Sequence, residues 1–251
     1  MTDYGWLIAA LFLPLFPLSM AFNALFQLVR QAWLRALLLL LWPLAGLAVL
    51  QGLQPALPDG VVGWALFTAA LYAFRAVVIN EAGLWCGFLA TSAWALGWVV
   101  LAAGGGLLPV LLHLMAFSLP LLMLVFLIAA VEKRFASAFA GVVNGIAGSC
   151  PRLAGVFAIT LLAAIGSPLF PSFFAMLGSI SAMIASPAVM LALVAIWLLW
   201  SWSGMRLLQG LLVGPPDPAG QRDLRRSLSL LSGLLLCSLA VAGVVAAGDM
   251  L

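Results

Sequence analysis

The chain has 251 residues, 66% of them hydrophobic and 7% charged, with a formal net charge of +3 and a mean hydropathy of +1.26. A soluble domain carries about 25% charged residues, which excludes water as the solvent for most of this surface. The pI near 9.1 does not point to nucleic acid, because the ten basic residues are sparse and sit in short connections, as membrane orientation requires.

A bilayer crossing needs about 20 mainly apolar residues. Taken in chain order, the sequence predicts about eight, at 6–29, 36–52, 61–79, 82–103, 107–130, 152–185, 187–210 and 227–248. The fold class is therefore all-α, a polytopic membrane protein, and 1–251 reads as one helical membrane domain. The start, Met1-Thr2-Asp3-Tyr4, has no basic segment or clear cleavage site, so the first apolar run is expected to be a retained span. With that start outside, the inward connections are 30–35, about 75–81, 131–151 and 211–226. These and the helix ends beside them hold Arg30, Arg35, Arg75, Lys133, Arg134, Arg152, Arg206, Arg222, Arg225 and Arg226. The opposite connections hold only Asp3, Asp59 and Asp249. That asymmetry places both termini outside.

Two spans depart from a plain helix. Trp42-Pro43 interrupts the second. The sixth is too long for one straight crossing, and Gly166-Ser167-Pro168-Leu169-Phe170-Pro171 stands in its middle. Two prolines three apart remove two backbone donors and disfavour helix before each, which predicts two half-helices joined by unwound backbone. Such backbone persists at membrane depth only when it is buried in protein or faces water, so the break should not face lipid.

Few polar residues fall within the spans. His113, in the fifth, is either a proton carrier or a neutral ring bonded to a carbonyl. Arg75 and Glu81 flank the third connection, as an ion pair or with Arg75 snorkelling. Asn23 and Gln27 share a face of the first span and can hydrogen-bond to another helix. Ser172, Ser179 and Ser181 are expected to bond carbonyls freed by the break. The ten tryptophans are read as interfacial anchors, and Gly104 to Gly106 as a tight turn. Cys86, Cys150 and Cys237 have no metal or disulfide spacing. No nucleophile–base pair, phosphate loop or haem or Fe–S ligand set is present, so no catalytic residue, cofactor or metal is expected. Residues 211–226 form the one long polar stretch, either a surface for a peripheral partner or a plain solvated loop.

From about residue 117 onward the sequence resembles the antiporter-like membrane subunits of respiratory complex I, multisubunit cation/proton antiporters, membrane-bound hydrogenases and inorganic-carbon uptake complexes. The carrying residues are Val131-Glu132-Lys133-Arg134, Gly141 to Ser149, Pro151-Arg152-Leu153-Ala154, Ala163 to Pro168 and Phe173-Phe174. Gly204 to Leu208 and Val213 to Pro216 match the end of that family's next helix. The resemblance covers 107–250, with 1–105 as N-terminal spans, and implies an inner bacterial membrane and other membrane subunits as partners. It also implies a lysine or glutamate on the second half of the broken helix, but that position is Met176. A histidine of the preceding helix falls on Phe117, and the sole lysine is Lys133. The expectation is a subunit of an ion-translocating or energy-coupled complex, scaffolding or docking because relay residues are missing. The alternatives are a self-sufficient proton-coupled transporter or channel built on His113 and the broken helix, and an anchor for a soluble enzyme.

Overall fold

The computed structural model describes residues 5–54, 56–104, 106–216 and 220–248. Asp3 and Asp249 of the charge asymmetry, the chain start read as a retained span, Gly105 of the glycine turn and 217–219 of the long loop lie outside the described residues.

Where one span was expected over 6–29, two short helices form, α1 (Gly5–Phe12) and α2 (Ser19–Leu28). Pro14 and Pro17 fall between them and withhold two amide donors, a reason hydropathy alone does not register. Next come α3 (Ala32–Leu53), α4 (Val61–Val78), α5 (Ala82–Ala95) and α6 (Gly97–Ala102), the last two bent apart at Leu96. Pro43 does not break α3 but lies buried inside a continuous helix. The remaining helices are α7 (Leu107–Phe135), a single turn α8 (Ile146–Ser149), α9 (Pro151–Ala164), α10 (Pro171–Ala182), α11 (Pro187–Leu212) and α12 (Arg226–Gly248). The pair α9–α10 is the expected interrupted helix. Proline opens α9, α10 and α11, where its missing N–H costs no helical bond.

Among the described residues six stretches are long and apolar enough to cross a membrane, α5 and α6 together forming one of them, and the shorter apolar helices α9 and α10 accompany them. The run α5–α6 is the centre: 83% of its most apolar window is buried, against 11% for α12 at the periphery. Lipid gives apolar side chains no reason to associate, so packing and interhelical hydrogen bonds hold the helices together. Several tryptophans supply such bonds, four of them from the core. Trp85 donates to Ser203 (3.1 Å), Trp94 to Ser118 (3.0 Å), Trp200 to Ser92 (2.8 Å) and Trp98 to the Leu13 carbonyl (2.9 Å). All four rings are fully buried, which corrects the view of every tryptophan as an interfacial anchor.

The basic residues gather at one end. There the Asn80 carbonyl accepts from the Ala140 amide, Arg206 donates to the Ile79 carbonyl, and Gly141 N–H reaches the Gly210 carbonyl. Gly104 and Gly106, at the other end, have positive φ, as their turn requires.

Candidate functional site

The interrupted helix α9–α10 is the centre of interest because its freed backbone needs partners. Gly166 has a φ of 78° and Leu169 one of 82°, so the break passes through left-handed backbone, a conformation unusual for leucine. Ser172 donates to the Ala163 carbonyl, Trp197 of α11 to the Ile165 carbonyl (3.1 Å), and the Ser167 amide to the Leu162 carbonyl (3.1 Å). α12 closes another side: a Cβ on Gly243 would stand 2.5 Å from the Leu169 oxygen and 2.9 Å from the Phe170 carbonyl carbon. Gly166 and Phe170 are buried, while Pro168 and Leu169 are exposed.

Ser172 thus serves a carbonyl freed by the break, as expected. Ser179 and Ser181 instead bond within α10, to the Ala175 and Gly178 carbonyls.

His113 is brought to this helix. It is 2% exposed. Its Nε2 lies 3.0 Å from the Ala93 carbonyl of α5 and its Nδ1 3.4 Å from the Ser179 hydroxyl of α10. A carbonyl only accepts, so Nε2 carries the hydrogen, while the Ser179 hydroxyl beside Nδ1 directs its own hydrogen to the Ala175 carbonyl. The ring also packs on Phe117 (5.2 Å between centroids). Met176, three residues before Ser179, has no exposed surface.

Arg75 and Glu81 take different partners. The Arg75 guanidinium lies over Phe88 (4.8 Å) and Tyr72 (5.9 Å). Glu81 caps α5, accepting from the amides of Gly83 (3.0 Å) and Leu84 (2.6 Å). Asn23 reaches across to Thr91 (2.9 Å) and also bonds the Ser19 carbonyl.

The long polar loop, read above as a partner surface or a plain solvated loop, also makes contacts within the chain. Asp223 accepts from the amides of Arg152 (3.0 Å) and Leu153 (3.1 Å), the open N-terminus of α9, and from Leu224 (2.7 Å). Burial pushes its carboxyl up, but these three donors and the Arg152 charge outweigh that and hold it below its ordinary value. Arg134 donates to the Arg222 carbonyl (2.8 Å), and a methyl at Gly145 would collide with the Pro215 carbonyl. The described parts of 131–151 and 211–226, the two segments through which an anchor for a soluble enzyme would hold its partner, therefore contact each other. Among the described residues no cluster of three or more His, Cys, Asp or Glu is placed to hold a metal.

No family model and no curated protein matches this sequence. Solved structures do. A chain of the membrane-bound sulfane sulfur reductase, an archaeal respiratory membrane complex, superposes with a TM-score of 0.80 at 17% identity, covering 96% of this chain and 52% of that one. A chain of respiratory complex I from Thermus thermophilus with bound NADH gives 0.79 at 22%, covering 96% and 53%. A chain of the Mrp complex from Dietzia sp. DQ12-45-1b gives 0.76 at 19%, covering 84% and 42%. The fold is that of the membrane chains of these complexes, in agreement with the antiporter-like resemblance. The present chain spans about half the length of the chains it matches.

Proposed function

We propose that this chain is a membrane subunit of a larger ion-translocating or energy-coupled complex and that its own role is structural, holding helices and partner subunits in place. The observation that carries this reading is Met176. Where the antiporter-like subunits carry a titratable group on the second half of the broken helix, this chain has a fully buried thioether. Among the described residues the polar partners of the nearby histidine are the Ala93 and Ala175 carbonyls and the Ser179 hydroxyl, none with a charge to balance a buried cation. A relay needs at least two titratable groups within reach of one another, and among the described residues His113 has no second. Another subunit supplies the redox or chemical step. Native-gel sizing of the chain solubilised from its own membrane in mild detergent tests this. Migration within an assembly of other membrane proteins is expected; migration alone, or only with copies of itself, contradicts it.

One observation favours a second reading. The contact between His113 and Ser179 joins the only histidine to the broken helix, and broken helices build ion and substrate sites in transporters. On that reading the chain alone moves protons and His113→Ala stops it.

A further inference from the structure

At the basic end, α2, α3, α5 and α7 leave a cavity of about 630 Å³, well within the usual size of a ligand site. Its charged lining is balanced: Arg30 and Arg35 face Glu81 and Glu132, with Phe26 and Leu84 as apolar wall. The Arg35 guanidinium is laid over the Phe26 ring at 5.2 Å, and its Nε donates to the Val29 carbonyl at 2.7 Å. Gly83 makes room for this arrangement, since a Cβ there would meet both Arg35 Nη1 and Glu81 Oε1. The cavity therefore offers cationic and anionic groups side by side at the end of the bundle, with Arg35 and Glu81 held in place.

A second cavity of about 310 Å³ begins at the same elbow between α2 and α3. It is apolar, a groove along α3 lined by Leu34, Leu37, Leu38, Leu41 and Ala45, with Val29 at its near end. Val29 links the two: its side chain lines the groove while its carbonyl holds Arg35, which lines the charged cavity. From Leu34 to Ala45 the groove rises about 16 Å at 1.5 Å per residue, roughly half of a 30 Å hydrocarbon core and so one leaflet deep.

A charged socket at the membrane edge joined to an apolar groove one leaflet deep has the form of a phospholipid. The geometry points to a bound zwitterionic phospholipid of the leaflet at the basic end, with a phosphate and a primary ammonium in its headgroup. Arg30 and Arg35 take the phosphate, by the forked donation that guanidinium groups make to phosphate oxygens. Glu81 and Glu132 take the ammonium, and the groove takes one acyl chain. Two cations against two carboxylates leave no net charge, which disfavours a purely anionic headgroup, and a choline headgroup has no N–H to give the carboxylates. This holds whatever complex the chain serves.

The test is reconstitution of the purified chain in vesicles of equal parts phosphatidylethanolamine, phosphatidylcholine and phosphatidylglycerol, re-extraction in mild detergent, and native mass spectrometry of the retained lipid. Phosphatidylethanolamine is expected about fivefold enriched over the other two, a preference the double variant Arg30→Gln/Glu132→Gln removes. Glu132→Gln alone, which makes the socket net positive, moves the preference toward phosphatidylglycerol. Leu41→Trp, which fills the groove, lowers retention of all three. Equal retention by the unaltered chain, enrichment of phosphatidylglycerol by it, or a preference that survives in the double variant would each overturn the assignment.

Discussion

The tetrapeptide Pro-Leu-Phe-Pro occurs twice in this chain, at 14–17 and at 168–171, and each copy breaks a helix. The two breaks are nonetheless held differently. Around the first, Trp42 of α3 donates to the Leu11 carbonyl (3.1 Å) and Trp98 of α6 to Leu13 (2.9 Å). Trp64 and Thr68 of α4 hold the carbonyl and amide of Phe16 (2.6 and 3.0 Å). Leu13, Pro14 and Leu15 are buried. Around the second, one indole, one serine of α10 and the bare face of Gly243 do the work, and Pro168 and Leu169 stay exposed. Identical local sequence thus forces a break in both places, while the neighbouring helices decide whether it is sealed. The first is locked into the core; the second is closed mainly by α12, and the half-helix that follows it touches the histidine.

The largest expected effect separates them by packing. Gly243→Ala drives a methyl into the backbone of the second break and should cost about 3 kcal/mol by detergent unfolding, the upper range for overpacking. Gly233→Ala, in the same helix with nothing within 4 Å, should cost nothing measurable. A comparable loss in both variants would mean that α12 does not seal the break. Next in size are the indoles. Trp98→Phe leaves a carbonyl of the first break unpartnered in a dry core, at about 2 kcal/mol, whereas Trp197→Phe, at a half-buried site, should cost about 1 kcal/mol. The reverse order would contradict the contrast drawn here. Amide exchange sharpens it further: Ser167 and Leu169 should exchange faster than Leu15 and Phe16, and equal protection would remove the distinction.

How much of this was legible in the sequence follows from the same residues. The second break was visible because two prolines stand in a stretch too long for one crossing. The first carries the same tetrapeptide, but in a stretch of ordinary span length, where hydropathy hides it. Pro43 shows the opposite error, since a proline does not always end a helix when its surroundings hold the chain in place. The meeting of His113 with Ser179 joins residues 66 apart through the packing of α7 on α10, and no local pattern encodes it. Asp223 was equally silent. Its value lies in reaching the N-terminus of α9, 70 residues earlier in the chain.

Asp223 gives the smallest of the expected effects. Asp223→Asn should weaken the cap on α9 by about 1 kcal/mol. Because the folded carboxyl is held below its ordinary value of 3.8, its stabilisation is fully present above that pH and is lost as the pH falls through the lower folded value. Proteolysis of the 211–226 loop should therefore rise in the unaltered protein below about pH 4, while Asp223→Asn should be cut at a rate that does not change with pH. A pH response that persists in Asp223→Asn would assign it to another group.

Proton flux into liposomes holding only the purified chain, with His113→Ala alongside, bears most directly on whether the buried thioether leaves the second break without a relay. Neither form should leak protons faster than empty liposomes. A flux well above that background, present in the unaltered chain and abolished in His113→Ala, would show that the histidine at the broken helix carries protons by itself.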